Sequence, residues 1–193
     1  MIMENCQPIL ISEIKYDIIH TPLGEMISCF TEKGLCLLDY SDRDILDAEL
    51  GEIASKTKAI FRKGETSESV KLKNQLTEYF EGKRFDFDMP LDMIGTPFQK
   101  KIWKILQNIP HGKIVSYLDQ AAIYGNPKAV RAVAGANKKN KIGILVPCHR
   151  VIGSNGHLTG YGGGLERKRM LLELERRANG TQGAKLFHNR NVA

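Results

Sequence analysis

Cys148 and His149 stand side by side in the run Pro147-Cys148-His149-Arg150-Val151, directly after the apolar run Ile142-Gly143-Ile144-Leu145-Val146. A cysteine that leaves a buried strand into a loop, beside an imidazole and a fixed cation, is placed to act as a nucleophile. The attacking species has to be the thiolate. A free thiol is mostly protonated near neutral pH, so neighbouring His and Arg groups matter: they favour the charged form, and His149 offers the proton a route away. Taken alone, a lone cysteine is more often a small buried hydrophobe. A Cys-His pair with a distant carboxylate also describes thiol hydrolases, which turn over repeatedly.

The elements that must position this loop fall into two groups. Residues 14–20, 25–30 and 34–40 read as strands separated by the turns Thr21-Pro22-Leu23-Gly24 and Thr31-Glu32-Lys33-Gly34, which predicts an antiparallel meander. Helical spacing follows over 42–56 and over 68–80, the second through Val70, Leu72, Leu76, Tyr79 and Phe80. Residues 84–94, with Pro90 and Pro97 close by, read as a linker. Beyond it the helices carry start signals: Thr96-Pro97 for 98–107, Ser116 for 117–124, and Asn126-Pro127 for 128–137. The last two are joined so tightly that a helix-turn-helix is expected. Residues 141–146 have the length and apolarity of a strand, Gly153-Ser154-Asn155-Gly156 reads as a turn, and 165–177 as a closing helix. The expected class is α+β: a small α/β domain over 1–92, a mainly helical domain over 93–178, and a loose tail over 179–193.

Composition bounds the partners. With 193 residues, 42% hydrophobic and 26% charged, the chain is long enough for one large domain or two small ones with real cores. No apolar run approaches the roughly 20 residues of a membrane helix, and residues 1–8 lack the layout of a secretory signal, so a cytoplasmic protein is expected. Cys6, Cys29, Cys36 and Cys148 show no tight spacing, which argues for free thiols in a reducing compartment. The net charge of +6 divides unevenly: residues 1–92 hold 11 Lys and Arg against 18 Asp and Glu, whereas 93–193 hold 17 against 4. At +13 against −7, the second half should meet a polyanion, mainly through its phosphates.

The Pro147–Val151 run, preceded by Gly125-Asn126-Pro127-Lys128 and Arg131 and followed by Tyr161-Gly162-Gly163-Gly164, resembles the active-site region of O6-alkylguanine-DNA alkyltransferases. The resemblance spans residues 96–175 and, more loosely, 16–40. It implies a ribonuclease H-like first domain and a winged-helix-like second one. It also implies transfer of a methyl or other alkyl group from O6 of guanine to Cys148, with O4 of thymine left open. Transfer occurs once per molecule, because a thioether has no leaving group. By the same resemblance Tyr117 donates to the departing guanine, and Asn140 holds two halves of the site together through backbone contacts. A water joins Cys148 to His149, and Glu175 orients the imidazole, as in a catalytic triad with a water inserted.

An O6 alkyl group inside a duplex is out of reach of a thiol in a pocket, so the base has to be flipped out. The resemblance places the helix over 128–137 in the minor groove, with Arg131 inserted where the nucleotide leaves. Lys128, Ala129, Ala132 and Gly135, with Ser116 and Arg150, are the other expected DNA contacts, the small residues keeping the helix thin. Tyr117, Val151, Tyr161, Gly162 and Gly163 are expected around the base. Gly162 departs from the pattern of the many members with Ser or Ala there, which removes a group that could hold the O6 region and leaves room for bulkier lesions. Some members carry a structural zinc in the first domain. Cys6 matches one ligand, but Thr31 and Cys36 stand where a cysteine and a histidine belong, so neither zinc nor any other cofactor is expected. The expected partner is double-stranded DNA bearing O6-alkylguanine, met by a monomer without an obligate protein partner. A DNA-binding module without chemistry is the remaining alternative, and the presence of Cys148 argues against it.

Overall fold

The computed structural model describes residues 12–178 and 180; Cys6, residues 1–8 and, Gly180 apart, the tail expected over 179–193 lie outside the described residues. Strands β1 (Ser12–Thr21), β2 (Gly24–Thr31) and β3 (Gly34–Tyr40) form the expected antiparallel meander. The sheet also has a strand that periodicity did not reveal. After helix α1 (Leu46–Thr57), β4 (Ala59–Lys63) pairs parallel to β1 and completes the order β3-β2-β1-β4. It is short and only its first residue is buried, so no alternation marks it, and a crossover helix rather than a local turn sets its register. Helix α1 begins at Leu46 instead of residue 42, because Tyr40 and Arg43 first close a corner through an N–H···O bond of 3.3 Å. Helix α2 (Ser67–Phe80) starts at a capping box made by Thr66 and Ser69.

The stretch expected as a linker is built into the sheet. The Leu35 N–H donates to the Pro90 carbonyl at 2.9 Å and the Asp92 N–H to the Leu35 carbonyl at 2.8 Å. Further along the same edge, the Leu38 N–H donates to the Lys141 carbonyl (2.8 Å) and the Gly143 N–H to the Leu38 carbonyl (2.7 Å). Both stretches cover the free edge of β3 and remove its unpaired groups. Gly34 allows the first approach: its φ is 135°, and a Cβ there would lie 2.3 Å from the Pro90 oxygen. One apolar core then runs through both halves, from Met26, Leu35, Leu72 and Tyr79 to Trp103, Leu106, Val146 and Leu171.

Residues 141–146 are not a strand. Ile142 makes one bridge to Leu38, after which the chain turns back through Leu145 N–H to Gly143 carbonyl (2.7 Å) and Val146 N–H to Ile142 carbonyl (3.0 Å). Ile144 adopts φ 67°, an uncommon backbone for a β-branched residue, so the surroundings and not local preference impose this shape. Helices α3 (Pro97–Gln107) and α4 (Tyr117–Ile123) begin at the expected caps, Thr96 and Ser116. A 3-10 turn over Pro127–Ala129 precedes α5 (Val130–Lys138), so that helix starts two residues later than expected. Short strands β5 (Val115–Ser116) and β6 (Val151–Ile152) pair in parallel, and α6 (Leu165–Ala178) closes the fold. The Trp103 indole N–H bonds the Ala136 carbonyl (2.9 Å) and ties α5 to α3. A buried Asn137–Gln120 amide pair (2.7 and 3.3 Å) ties α5 to α4.

Candidate active site

Cys148, His149 and Arg150 form one 3-10 turn. With 3.0 residues per turn, successive side chains leave such a turn about 120° apart, so neighbours in sequence go to three different places. Cys148 lines a cavity of about 530 Å³. His149 and Arg150 turn into the core toward Glu175. This corrects the expectation that both would hold Cys148 as a thiolate. Burial pushes the Cys148 thiol up, and what opposes it is a hydrogen bond from Asn140 Nδ2 to Sγ (3.3 Å) together with the positive charges of Lys168 and Arg43. The resting group is therefore a thiol that needs a proton acceptor. Burial also pushes Cys36 up, to about 12.

His149 is held by Glu175, which is wholly buried. Its Oε1 accepts from His149 Nε2 (2.8 Å), the Tyr79 hydroxyl (2.8 Å) and Arg150 Nη2 (2.9 Å). Its Oε2 accepts from Arg150 Nε (3.0 Å) and the Gly112 N–H (2.9 Å). Burial alone would raise the Glu175 pKa, but the charge and hydrogen bonds of His149 and Arg150 outweigh it and hold the carboxyl well below its ordinary range. An ionised carboxylate only accepts, so the ring proton of His149 belongs on Nε2 and Nδ1 keeps its lone pair. Nδ1 has no hydrogen-bond partner among the described residues, and burial lowers the His149 pKa, so a neutral ring with an unprotonated Nδ1 results.

Arg150 was expected among the DNA contacts and is not placed for that. Its guanidinium is spent inside, on Glu175 and on the Ile109 carbonyl (2.5 Å), and the residue is 6% exposed. Ser116 spends its hydroxyl on the α4 cap, accepting from the Asp119 N–H (3.0 Å) and donating to the Asp119 carboxylate (2.7 Å). On α5, Arg131, Ala132 and Gly135 are exposed, and Arg131 and Gly135 reach the cavity; Lys128, in the preceding turn, is exposed and Ala129 half-buried. Of the residues expected around a base, Tyr117, Tyr161 and Gly162 line the cavity. Val151 and Gly163 do not. Val151 is a core residue of β6, and Gly163 is pressed between rings, where a Cβ would come within 2.9 Å of Tyr40 and 2.8 Å of Tyr161.

The Tyr117 hydroxyl donates to the Gly160 carbonyl (2.9 Å), and burial with the nearby Cys148 pushes its pKa up to about 12, so it stays a donor at neutral pH. Asn140 accepts from the Ile142 N–H (3.1 Å) and donates to the Val146 carbonyl (2.7 Å), which bends the loop that presents Cys148. Sequence reasoning missed two cations. Lys168, wholly buried, donates from Nζ to the carbonyls of Val151 (2.6 Å), Thr159 (2.6 Å) and Gly160 (3.2 Å) and pins the cavity loop to α6. Burial lowers its pKa to about 8. A signal existed: Lys168 shares the phase of Leu171, Leu172 and Glu175 on the buried face of α6. Arg43, on the β3–α1 corner, had no such signal.

A thiol in a cavity, a neutral imidazole held by a buried carboxylate and a neighbouring exposed arginine are the parts of a cysteine-nucleophile protein with a cationic helix at its site. The chain belongs to the 6-O-methylguanine DNA methyltransferase family. The ribonuclease-like domain of that family matches residues 14–93 and its DNA binding domain residues 97–177. The constitutive methylated-DNA--protein-cysteine methyltransferase of Bacillus subtilis is 47% identical over 162 residues, covering 83% of this chain and 94% of that protein. The Methanosarcina barkeri methylated-DNA--protein-cysteine methyltransferase is 43% identical over 160 residues, covering 83% and 96%. The crystal structure of Mycobacterium tuberculosis OGT in complex with DNA superposes with a TM-score of 0.74 at 38% identity, covering 85% of this chain and 94% of that one. Among the described residues no helix is long and apolar enough to cross a membrane.

Proposed function

We propose that this protein repairs alkylated DNA in the cytoplasm by moving an alkyl group from O6 of guanine to Cys148, once per molecule. The observation that carries this is the cavity shared by Cys148, Tyr117 and Arg131. Residues 93–178 bind DNA and accept the group, with α4 and α5 as a helix-turn-helix, and residues 1–92 support them. Arg131 fills the gap left in the stack as the base swings into the cavity. His149 Nδ1 takes the Cys148 proton through a water, the S–C bond forms as the C–O6 bond breaks, and the electron pair leaves with guanine. Tyr117 releases the Gly160 carbonyl and donates its hydroxyl to the base, meeting the charge that develops there. The proton taken by His149 is balanced by the one that the guanine ring takes up through Tyr117 and solvent; the restored guanine stays in its strand, and the thioether remains on Cys148.

Intact mass after incubation with an oligonucleotide bearing O6-methylguanine should show a single added methyl group, mapped to the Cys148 peptide. Conversion of many equivalents of O6-methylguanine to guanine per protein molecule, or methyl on Cys29 or Cys36, would overturn the proposal. Arg131→Ala should slow repair of the duplex by about tenfold or more, equal to ~1.4 kcal/mol of barrier, and leave transfer from free O6-benzylguanine nearly unchanged. Only the duplex demands flipping, so equal losses on both substrates would remove Arg131 from that role.

A further inference from the structure

Arg43, from the β3–α1 corner, stands behind two walls of the cavity, against Lys138 and Gly162. Its Nη1 pairs with Asp39 Oδ2 and lies 3.6 Å from Glu49 Oε2, and its side chain is only 5% exposed. From this buried acidic seat, Nη2 donates to the Lys138 carbonyl at 3.5 Å, in the last turn of α5, where orphan carbonyls welcome a cation. The same guanidinium covers Gly162. A Cβ on Gly162 would stand 2.6 Å from Nη2, 2.8 Å from Cζ and 3.1 Å from Nε. Lys138 and Gly162 are both walls of the cavity that holds Cys148. A free arginine would swing aside at little cost; this one is held by Asp39 and Glu49, and moving it would strip two buried carboxylates of their cation.

Resting on the alkyl-transfer reading, we infer that Arg43 is a positioning and specificity-determining residue of the reaction, wedged in the volume that a side chain at position 162 would occupy. It sets the separation between the Gly162 loop and α5, and so the width of the cavity around the alkyl group. A planar fork does this in a way an ammonium cannot, because one face of the guanidinium can lie against Gly162 while its N–H groups bond on both sides. Its charge also reaches Cys148, where it favours the thiolate. Glycine at 162 is then no loss of grip on the lesion, because the grip comes from the first half of the chain.

The test compares single-turnover transfer from duplex O6-methylguanine and from free O6-benzylguanine in the unaltered protein, Gly162→Ser, Arg43→Lys and the double variant. Gly162→Ser, in an exposed loop, should keep its unfolding temperature and slow transfer by about tenfold, since the hydroxymethyl group meets a pinned guanidinium. Arg43→Lys keeps a cation for Asp39 but frees the space, and should slow methyl transfer by ~3-fold while raising the benzyl-to-methyl rate ratio. The double variant should lose less than the product of the two single losses, because lysine leaves room for serine. Arg43→Met should move the pH–rate midpoint upward, and Arg43→Lys should leave it in place. Unchanged transfer by Gly162→Ser, or losses that simply multiply, overturns the inference. Failure of the unaltered protein to alkylate Cys148 would remove the proposed function and this inference with it, whereas normal transfer with insensitive variants removes this inference alone.

Discussion

Replacing Glu175 with glutamine should lower stability by roughly 3–5 kcal/mol and slow alkyl transfer by about a hundredfold or more. Both oxygens of Glu175 are filled by donors, from His149, Tyr79, Arg150 and Gly112. A glutamine amide turns one of those oxygens into an NH2 group, which faces N–H donors whichever way it is flipped, and it leaves the buried Arg150 charge unpaired. His149 loses the acceptor that keeps its proton on Nε2, so Nδ1 is no longer reliably the basic atom. The pH dependence has a definite sign. The folded Glu175 carboxyl titrates well below its ordinary 4.5, so its stabilisation is complete above that pH and is lost as the solution is acidified through the folded value. Burial holds His149 below its ordinary 6.5, so the folded state resists its protonation and loses stability as pH falls below that value. Glu175→Gln should abolish the first dependence. Denaturant unfolding across acid pH, with a pH–rate profile for transfer, measures both effects. Variant curves that overlay those of the unaltered protein would show that the buried network does not serve the thiol.

Cys148→Ala should abolish transfer completely while leaving affinity for duplex DNA within about threefold. The sulfur is the only atom lost to chemistry, and Asn140 Nδ2 keeps its bond to the Val146 carbonyl, so the loop retains its shape. Stability should change by no more than ~1 kcal/mol, since Cys148 already opens onto a cavity. The exposed residues Arg131, Ala132 and Gly135 of α5, which the binding reading uses, are untouched. Gel-shift titration beside intact mass tests the two halves separately. Alkyl groups still appearing on the variant would move the acceptor elsewhere, and a large loss of binding would mean that the thiol helps hold DNA.

Local signals were legible in the sequence because each depends on a few neighbouring residues. The helix caps at Thr96 and Ser116, the meander with its two turns, and the placement of a cysteine beside a histidine after an apolar run are of this kind. The uneven charge was legible too, since it needs only counting. What the sequence did not reveal depends on groups far apart along the chain. Strand β4 is defined by a partner across a crossover, and the apolar run 141–146 became a turn because its neighbours on β3 and Asn140 take its backbone groups. Tyr79 meets Glu175, Arg43 meets Lys138, and Arg167 meets Asp42 only after the two halves pack. The 3-10 turn at Cys148 sends Arg150 into the core and leaves Lys168 and Arg43 as the cations that favour the thiolate. Adjacency along the chain identified the nucleophile and its base, but charge acts through space, and only the packed fold decides which charges are near.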